Sequence, residues 1–218
     1  IQPGLRLGSN FETNALPGLT SPGSLGHNYR AFDPAGGSDL KDNLELKIPA
    51  ARFTHRKSLL SRLDHIRQFA DTSGILAGAA KFQQQAFDVI ERGVADAFDL
   101  QQEPRKVLNA YDTTRYFNMS DLNRYGDLRR TSNLLGHQML LARRLVERGC
   151  GFVTVSDCGW DHHANGNSPK NMTAFPAMSR QVDHAVAAFI NDLHDRGLQD
   201  NVLLIVTGEM GRTPRLNK

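Results

Sequence analysis

Cysteines and long apolar runs are what this sequence has least of. Its 218 residues include two cysteines, Cys150 and Cys158. They flank a segment that we expect to be a strand, and an extended chain would hold them about 26 Å apart, beyond the reach of a disulfide. Two thiols are also too few for a zinc site built from cysteines alone. The sequence therefore argues against a disulfide scaffold and against a cysteine-type zinc site.

Apolar residues nowhere form a run close to the ~18 residues that a membrane span needs, so we expect no membrane span. Hydrophobic residues make up 39% of the chain and charged residues 22%, which is typical of a globular domain. The formal net charge is +3, but basic side chains are interspersed with acidic ones. We therefore expect a solvated mixed-charge surface and no nucleic-acid partner. The oligomeric state is left open.

The sequence divides into three stretches of what we expect to be a single domain. Residues 1–52 are rich in Gly, Pro, Ser and Asn, which predicts an irregular wrapping segment. Residues 53–130 have helical periodicity, and residues 131–218 read as helix, strand, helix, strand. Because the chain starts at Ile1 and stops soon after a strand-like segment, we expect it to be a fragment of a longer protein.

The helical signals come from apolar residues spaced three and four apart. Two such stripes lie before residue 100, and shorter helical turns are expected on either side of Pro104. A stronger pattern follows, with Thr131 or Ser132 as the cap and Gly149 as the stop signal. The expected buried side of that helix consists of Leu134, Leu135, Gln138, Leu141, Ala142 and Leu145.

Two continuous apolar runs, 151–157 and 201–208, lie on either side of a long predicted helix. Continuous rather than alternating apolar residues predict strands covered on both faces. A strand, a helix and a second strand form a right-handed unit with parallel strands. The sequence therefore predicts an α/β fold with a parallel sheet.

Acidic and imidazole side chains follow both predicted strands. Asp161 and His163 lie in the loop "SDCGWDHHANG" after the first strand, and Glu209 follows the second. Carboxyl ends of parallel strands meet at one sheet edge, where ligands bind. Carboxylates and imidazoles are ligands of divalent metal ions. We therefore expect Asp161, His163 and Glu209 to hold a divalent ion such as Zn, Mn, Ca or Mg.

Other residues of the same loops have supporting roles in this interpretation. Asp157 and His162 would contact the ligands and not the metal ion. In an extended chain the side chain of His162 points away from those of Asp161 and His163. Arg212 offers the planar fork of donors that suits a phosphate or sulfate group. Ordinary alternatives remain open: a hydrated polar loop, a simple pair between Glu209 and Arg212, and Trp160 as a packing residue. His184 is expected on a helix surface.

The segments "LLARRLVERGCGFVTVSDCGWDHH" and "VLLIVTGEMGRTP" together resemble the domain-of-unknown-function family 1501. The looser match extends back through "QQQAFDVIERGVADAFDLQQEPRKVLNAY" to "GSLGHNYRAF". That family is assigned to the alkaline phosphatase and sulfatase superfamily. The resemblance implies a parallel-sheet sandwich of that type, present here as an incomplete fragment, with metal ligands at the carboxyl ends of its strands.

By this resemblance Asp161, His163 and Glu209 match metal-ligand positions, while Met210 stands where relatives carry a histidine. The superfamily's first strand and its nucleophile would lie upstream, so no catalytic nucleophile is assigned in this chain. Family members commonly begin with a twin-arginine export signal, which implies an exported, periplasmic or cell-surface protein.

The sequence is consistent with two functions. The first is a sulfatase-like, metal-dependent hydrolase of phosphate or sulfate esters, acting on a small-molecule or glycan substrate. The alternative is a non-catalytic exported binding or surface-associated protein with a degenerate site. Met210 favours the alternative, and the grouping of Asp161, His163 and Glu209 favours the hydrolase.

Overall fold

The computed structural model describes residues 21–26, 46–69, 84, 86–116, 118, 133–157, 160, 175–208 and 211. Most of these residues are helical. The chain divides into two compact units, one of Ala15–Asp99 and the other of Leu100–Lys218 with Ile1–Asn14.

In the described part of the unit Ala15–Asp99, one helix is long and the others are short. Helix α1 spans Ala50–Phe69, and helix α2 spans Val94–Ala97 directly after Gly93, whose positive φ of 62° marks the turn between helical segments. Residues 86–91 are also helical, and a single 3₁₀ turn covers Gly23–Leu25. The helical pattern predicted for this stretch is therefore present.

The unit that begins at Leu100 is built around two longer helices. Helix α3 spans Arg105–Ala110, α4 spans Leu135–Glu147 and α5 spans Phe175–Asp195, with 3₁₀ turns at Leu100–Gln102 and Thr114–Tyr116. Helices α4 and α5 pack against each other. Their facing side chains, with one tyrosine from the end of α3, form the core: Tyr111, Leu135, Met139, Leu140, Ala185, Phe189 and Leu193.

Helix α4 begins against the backbone that follows α3. The Gly136 amide donates a hydrogen bond of 3.0 Å to Thr113 Oγ1, and the Thr113 hydroxyl donates to the Asn133 carbonyl at 2.8 Å. A Cβ on Gly136 would lie 1.8 Å from the Tyr111 carbonyl oxygen. Glycine at this position therefore allows a close approach, and a threonine distant in sequence satisfies an amide of the first turn. The predicted caps, Thr131 and Ser132, lie outside the described residues.

Both longer helices end in the same way, at glycines with positive φ. Gly149, with φ 85°, donates to the Val146 carbonyl while Cys150 donates to the Leu145 carbonyl. Gly197 ends α5 through an equivalent pair of bonds. This arrangement satisfies carbonyl groups that a helix end otherwise leaves unpaired, and it confirms Gly149 as the predicted stop.

The buried side of α4 differs in part from the predicted one. Leu135, Ala142 and Leu145 are buried as expected, but Gln138 and Leu141 are half-buried, and Leu134 is exposed because it precedes the first turn. The prediction also missed buried side chains that lie on the face toward α5 and Glu103: Met139, Leu140, Arg143 and Arg144.

The predicted parallel-sheet sandwich is wrong for the part of the chain that is described, which contains no strand. Residues 151–157 and 201–208 are neither helical nor paired as strands. Val155, Val202 and Leu204 pack against the core of α4 and α5, whereas Phe152 is 88% and Leu203 83% exposed. A run of apolar residues shows only that the side chains favour burial. A strand also needs a neighbour that pairs with its backbone groups, and none is formed here within the described ranges.

No helix among the described residues is both long enough and apolar enough to span a bilayer.

Candidate functional site

Most of the predicted site residues cannot be located in the structure. Asp161, His162, His163, Glu209 and Arg212 all lie outside the described residues. Within the described ranges, no group of three or more His, Cys, Asp or Glu side chains is arranged to hold a metal ion. The predicted metal and oxyanion contacts therefore stay predictions.

Asp157 is the predicted residue that the structure does place, and it contacts Trp160. The Trp160 indole Nε1 donates a hydrogen bond of 2.8 Å to Asp157 Oδ2, and both side chains are half-buried. The Trp160 ring meets the Phe175 ring edge to face, with centroids 6.2 Å apart and an interplanar angle of 87°. Aromatic pairs favour this geometry. Trp160 thus has the packing role that was the ordinary alternative for it.

These contacts join the end of the irregular segment 151–157 to the beginning of a helix. Asp157 closes the segment 151–157, and Phe175 is the first residue of α5. The sequence between them carries the predicted ligands Asp161 and His163. Asp157, Trp160 and Phe175 are called the aromatic tie below.

A second polar feature, buried between α4, α5 and the turn Leu100–Gln102, was not predicted. The Arg143 side chain is 0% exposed. Its guanidinium reaches Glu103 Oε2 at 3.0 Å, Glu147 Oε2 at 2.7 Å and, through Nε, Asp192 Oδ2 at 2.8 Å. One arginine of α4 is therefore paired with carboxylates from three separate segments.

Two more arginines complete this charge cluster. Arg144 pairs with Glu103, and Arg196 Nη1 lies 2.9 Å from Glu147 Oε1. Arg196 also reaches Glu103 at 3.1 Å and Asp192 at 2.8 Å. Among these six described side chains, three guanidinium groups face three carboxylates, so their formal charges balance. Arg196 and Glu147 are partly exposed, whereas the buried Arg143 and Glu103 depend on pairing of this kind.

The pKa values in the cluster follow from this pairing. Burial raises the pKa of Glu103, but hydrogen bonds from Arg143 and Arg144 outweigh that effect and hold it below its usual value. Burial, with the Asp192 charge and hydrogen bond, raises the pKa of Tyr111 well above that of an exposed tyrosine. The Tyr111 hydroxyl donates to Asp192 Oδ2 at 3.0 Å. The lowered pKa of Glu103 keeps its carboxyl charged and the raised pKa of Tyr111 keeps its phenol neutral, which suits a structural tie better than proton transfer.

A groove of about 400 Å³ runs between α3 and α5. Its lining combines apolar side chains, among them three alanines, with polar ones. The lining comprises Lys106, Val107, Ala110, Tyr111, His184, Ala187, Ala188, Asn191, Asp192 and Asp195.

His184 lies at this groove and is more constrained than the predicted helix-surface histidine. Its Nε2 lies 2.7 Å from the Ala110 carbonyl oxygen, which only accepts, so Nε2 carries the proton. Its Nδ1 then accepts from the Tyr116 hydroxyl at 2.9 Å and from Arg115 at 3.3 Å. His184 thereby joins α5 to the end of α3 and to the turn Thr114–Tyr116.

Sequence reasoning missed the charge cluster because buried and exposed arginines look alike in sequence. The signal that was present is positional: Arg143 lies on the same helical face as Leu140, four residues from Glu147. His184 likewise lies three residues from Gln181 and four from Ala188, on or beside the buried stripe of α5.

Comparison with known proteins identifies one family. A family model described as "Protein of unknown function (DUF1501)" matches residues 8–218. No curated protein matches the chain, and no solved structure matches it. Because the model covers nearly the whole sequence, this chain belongs to the DUF1501 family.

Proposed function

We propose that this protein is a metal-dependent hydrolase of phosphate or sulfate esters, with Asp161, His163 and Glu209 as metal ligands and Arg212 as the oxyanion contact. The substrate class is a small-molecule or glycan ester. The proposal includes export to the periplasm or cell surface, which the family resemblance suggests.

One structural observation carries the proposal. The segments 151–157 and 201–208, which lead directly into the candidate residues, pack on a single core: Val155 from the first, Val202 and Leu204 from the second. Although these segments do not form the predicted sheet, they share the surface of one helix pair. This supports a site drawn from both loops.

The donor set fits a divalent ion. Two carboxylates and an imidazole make a mixed oxygen and nitrogen set that suits Zn or Mn, and the carboxylates alone suit Ca or Mg. When bound, such an ion polarises an ester oxygen and lowers the pKa of a coordinated water.

The residues of the chain itself would bind and orient the substrate. The guanidinium of Arg212 offers two parallel donors to a tetrahedral phosphate or sulfate, and such a charge-assisted contact stabilises by about 1.5–3 kcal/mol. A neighbouring cation and arginine would together neutralise the charge of the ester. This need for charge neutralisation is why anionic esters are the proposed substrate class.

Metal content provides the first test. Purified protein should carry a divalent metal ion by elemental analysis, and Asp161→Ala and His163→Ala should each lower that content sharply. The matched control is Asp200→Ala, which removes an exposed aspartate from the turn after α5. Helical circular dichroism should be unchanged in all three variants.

Hydrolysis provides the second test. Chromogenic aryl phosphate and aryl sulfate esters should be cleaved by wild-type protein, with loss of activity in chelator and in the Asp161→Ala variant. Arg212→Gln should weaken substrate binding while retaining the metal. Equal metal content in Asp161→Ala and wild type would overturn the proposal. Metal binding without any ester cleavage would favour the non-catalytic binding protein, as Met210 suggests.

A further inference from the structure

The aromatic tie holds Trp160, the residue next to a candidate metal ligand. Trp160 directly precedes the candidate ligand Asp161, and its indole is fixed on both sides, by Asp157 Oδ2 at 2.8 Å and by the Phe175 ring at 6.2 Å. A carboxylate acceptor makes a stronger hydrogen bond than a neutral one. The residue immediately before Asp161 is therefore held both by the segment 151–157 and by the first residue of α5.

We propose that Asp157 is a positioning residue that acts through Trp160, and not a group that binds the metal itself. This inference rests on the proposed metal site. By holding Trp160, Asp157 fixes where the chain enters the loop that carries Asp161 and His163.

Ordering the backbone of a loop costs conformational entropy, and a metal ion that must order its own loop on binding loses that free energy from its affinity. The aromatic tie meets part of this cost before any ion arrives. Groups that orient metal ligands in this indirect way typically change metal affinity about 10–100-fold when removed.

The geometry also separates this role from direct coordination. Asp157 Oδ2 already accepts the indole N–H, and Asp157 is half-buried. An uncharged acceptor of the same shape should therefore replace Asp157 if its task is to hold Trp160. A metal ligand would lose affinity on the same change because the carboxylate charge is lost.

Tryptophan fluorescence gives a direct readout, since Trp160 is the single tryptophan of the chain. In metal-free protein, Asp157→Ala should shift Trp160 emission to longer wavelength and increase acrylamide quenching. Asp157→Asn should stay close to wild type because the amide oxygen still accepts from Nε1. Phe175→Leu should also increase quenching by removing the edge-to-face contact. Asp183→Ala, which removes an exposed carboxylate from α5, is the matched control and should change nothing.

Metal titration of the same proteins, with Zn²⁺ and Mn²⁺ as probes, gives the second readout. Asp157→Ala and Phe175→Leu should weaken binding about 10–100-fold, while Asp157→Asn should restore most of the affinity. Asp183→Ala should bind as wild type does. The helical circular dichroism of each variant shows that α5 is retained.

The two readouts together distinguish a positioning role of Asp157 from direct metal binding. If Asp157→Asn loses metal affinity as completely as Asp157→Ala while Trp160 emission stays unchanged in both, Asp157 is a ligand and the positioning role is wrong. If the Trp160 emission of Asp157→Ala is the same as that of wild type, the positioning role is also wrong, because Asp157 would then not hold Trp160. If wild-type protein binds neither ion, the proposed function and the positioning role both fail, and the emission data still establish whether the tie exists.

Discussion

Helices α1 and α5 are nearly equal in length, 20 and 21 residues, yet they are buried very differently. Among the described side chains of α1 none is buried, and Leu59 is 62% exposed. Helix α5 buries five side chains along a single stripe: Met178, Gln181, Ala185, Phe189 and Leu193. Helices α1 and α5 therefore differ in how many side chains they bury, although they have nearly the same length.

Apolar residues three and four apart occur in both helices, so the difference lies in the residues around them. The buried residues of α5 stay on one side over its whole length. In α1, basic residues interrupt the apolar ones on most turns. Because most helix stability in proteins comes from packing an apolar face, the unit around α5 should be far more sensitive to substitution than α1.

The largest expected effect comes from removing a core ring of α5. Phe189 is 4% exposed within the core, and Phe189→Ala should lower the free energy of unfolding by about 3–5 kcal/mol because it leaves a cavity. Leu59→Ala in α1 should change it by no more than about 0.5 kcal/mol. Urea unfolding followed by circular dichroism measures both. Similar losses in the two variants would mean that exposure does not distinguish these helices.

Glu103→Gln should have the next largest effect. It leaves three guanidinium groups facing two carboxylates, and breaking a buried ion pair in this way costs about 3–5 kcal/mol. We expect a loss near the lower end, since the amide oxygen still accepts hydrogen bonds. Asp183→Asn, at an exposed position of α5 outside the cluster, is the comparison variant. An unchanged urea midpoint for Glu103→Gln would show that the cluster contributes nothing to stability.

The same variant predicts a pH dependence. The pKa of Glu103 is lower in the folded protein than its usual value, so its contribution to stability is present above the usual carboxyl pKa of about 4.3 and is lost as pH falls through the lower folded value. Wild-type protein should therefore lose stability in that acidic range more steeply than Glu103→Gln. The Asp112 pKa is also lowered, by its hydrogen bond from Thr114, so some slope should remain. Parallel curves for the two proteins would contradict the Glu103 assignment.

Sequence reasoning located the helices well and the strands badly, for a physical reason. The helical signal of α5 and the stop at Gly149 are local, because spacing and a left-handed glycine act within a few residues. Pairing of 151–157 or 201–208 depends on partners far along the chain. The half-packed state of these segments, with Val155 inward and Phe152 outward, is consistent with apolar character but not with the predicted sheet.

For the candidate site, residue chemistry could be predicted but contacts could not. The role of Asp157 depends on Trp160 and Phe175 meeting at 6.2 Å, and nothing in the spacing of 15 residues indicates that meeting. The charge cluster depends on Glu103 reaching α4, forty residues away. The aromatic tie and the charge cluster both join residues that are far apart in sequence, as strand pairing does. Local sequence patterns do not predict such contacts.

Gly136→Ala should give an intermediate effect. Alanine is favoured over glycine inside a helix by about 1 kcal/mol, but here its Cβ would lie 1.8 Å from the Tyr111 carbonyl oxygen. Overpacking of this kind costs about 1–3 kcal/mol, so the variant should be destabilised overall. Gly151→Ala is the matched control, since a Cβ there meets nothing within 4 Å. A stabilised Gly136→Ala protein would show that α4 can move away from Tyr111 without loss.

The smallest expected effect lies in the unit of α1. Lys57 Nζ is 2.9 Å from Glu91 Oε2 and 5.7 Å from the centre of the Phe87 ring, with the Lys57 and Glu91 side chains 26% and 40% exposed. Partly solvated pairs of this kind contribute about 0–1 kcal/mol. Lys57→Met and Glu91→Gln, singly and together, should give a coupling energy below about 1 kcal/mol that shrinks further at high salt. A coupling energy as large as the Phe189→Ala loss would contradict the contrast between α1 and α5, because a single exposed contact would then stabilise α1 as strongly as a core side chain stabilises α5.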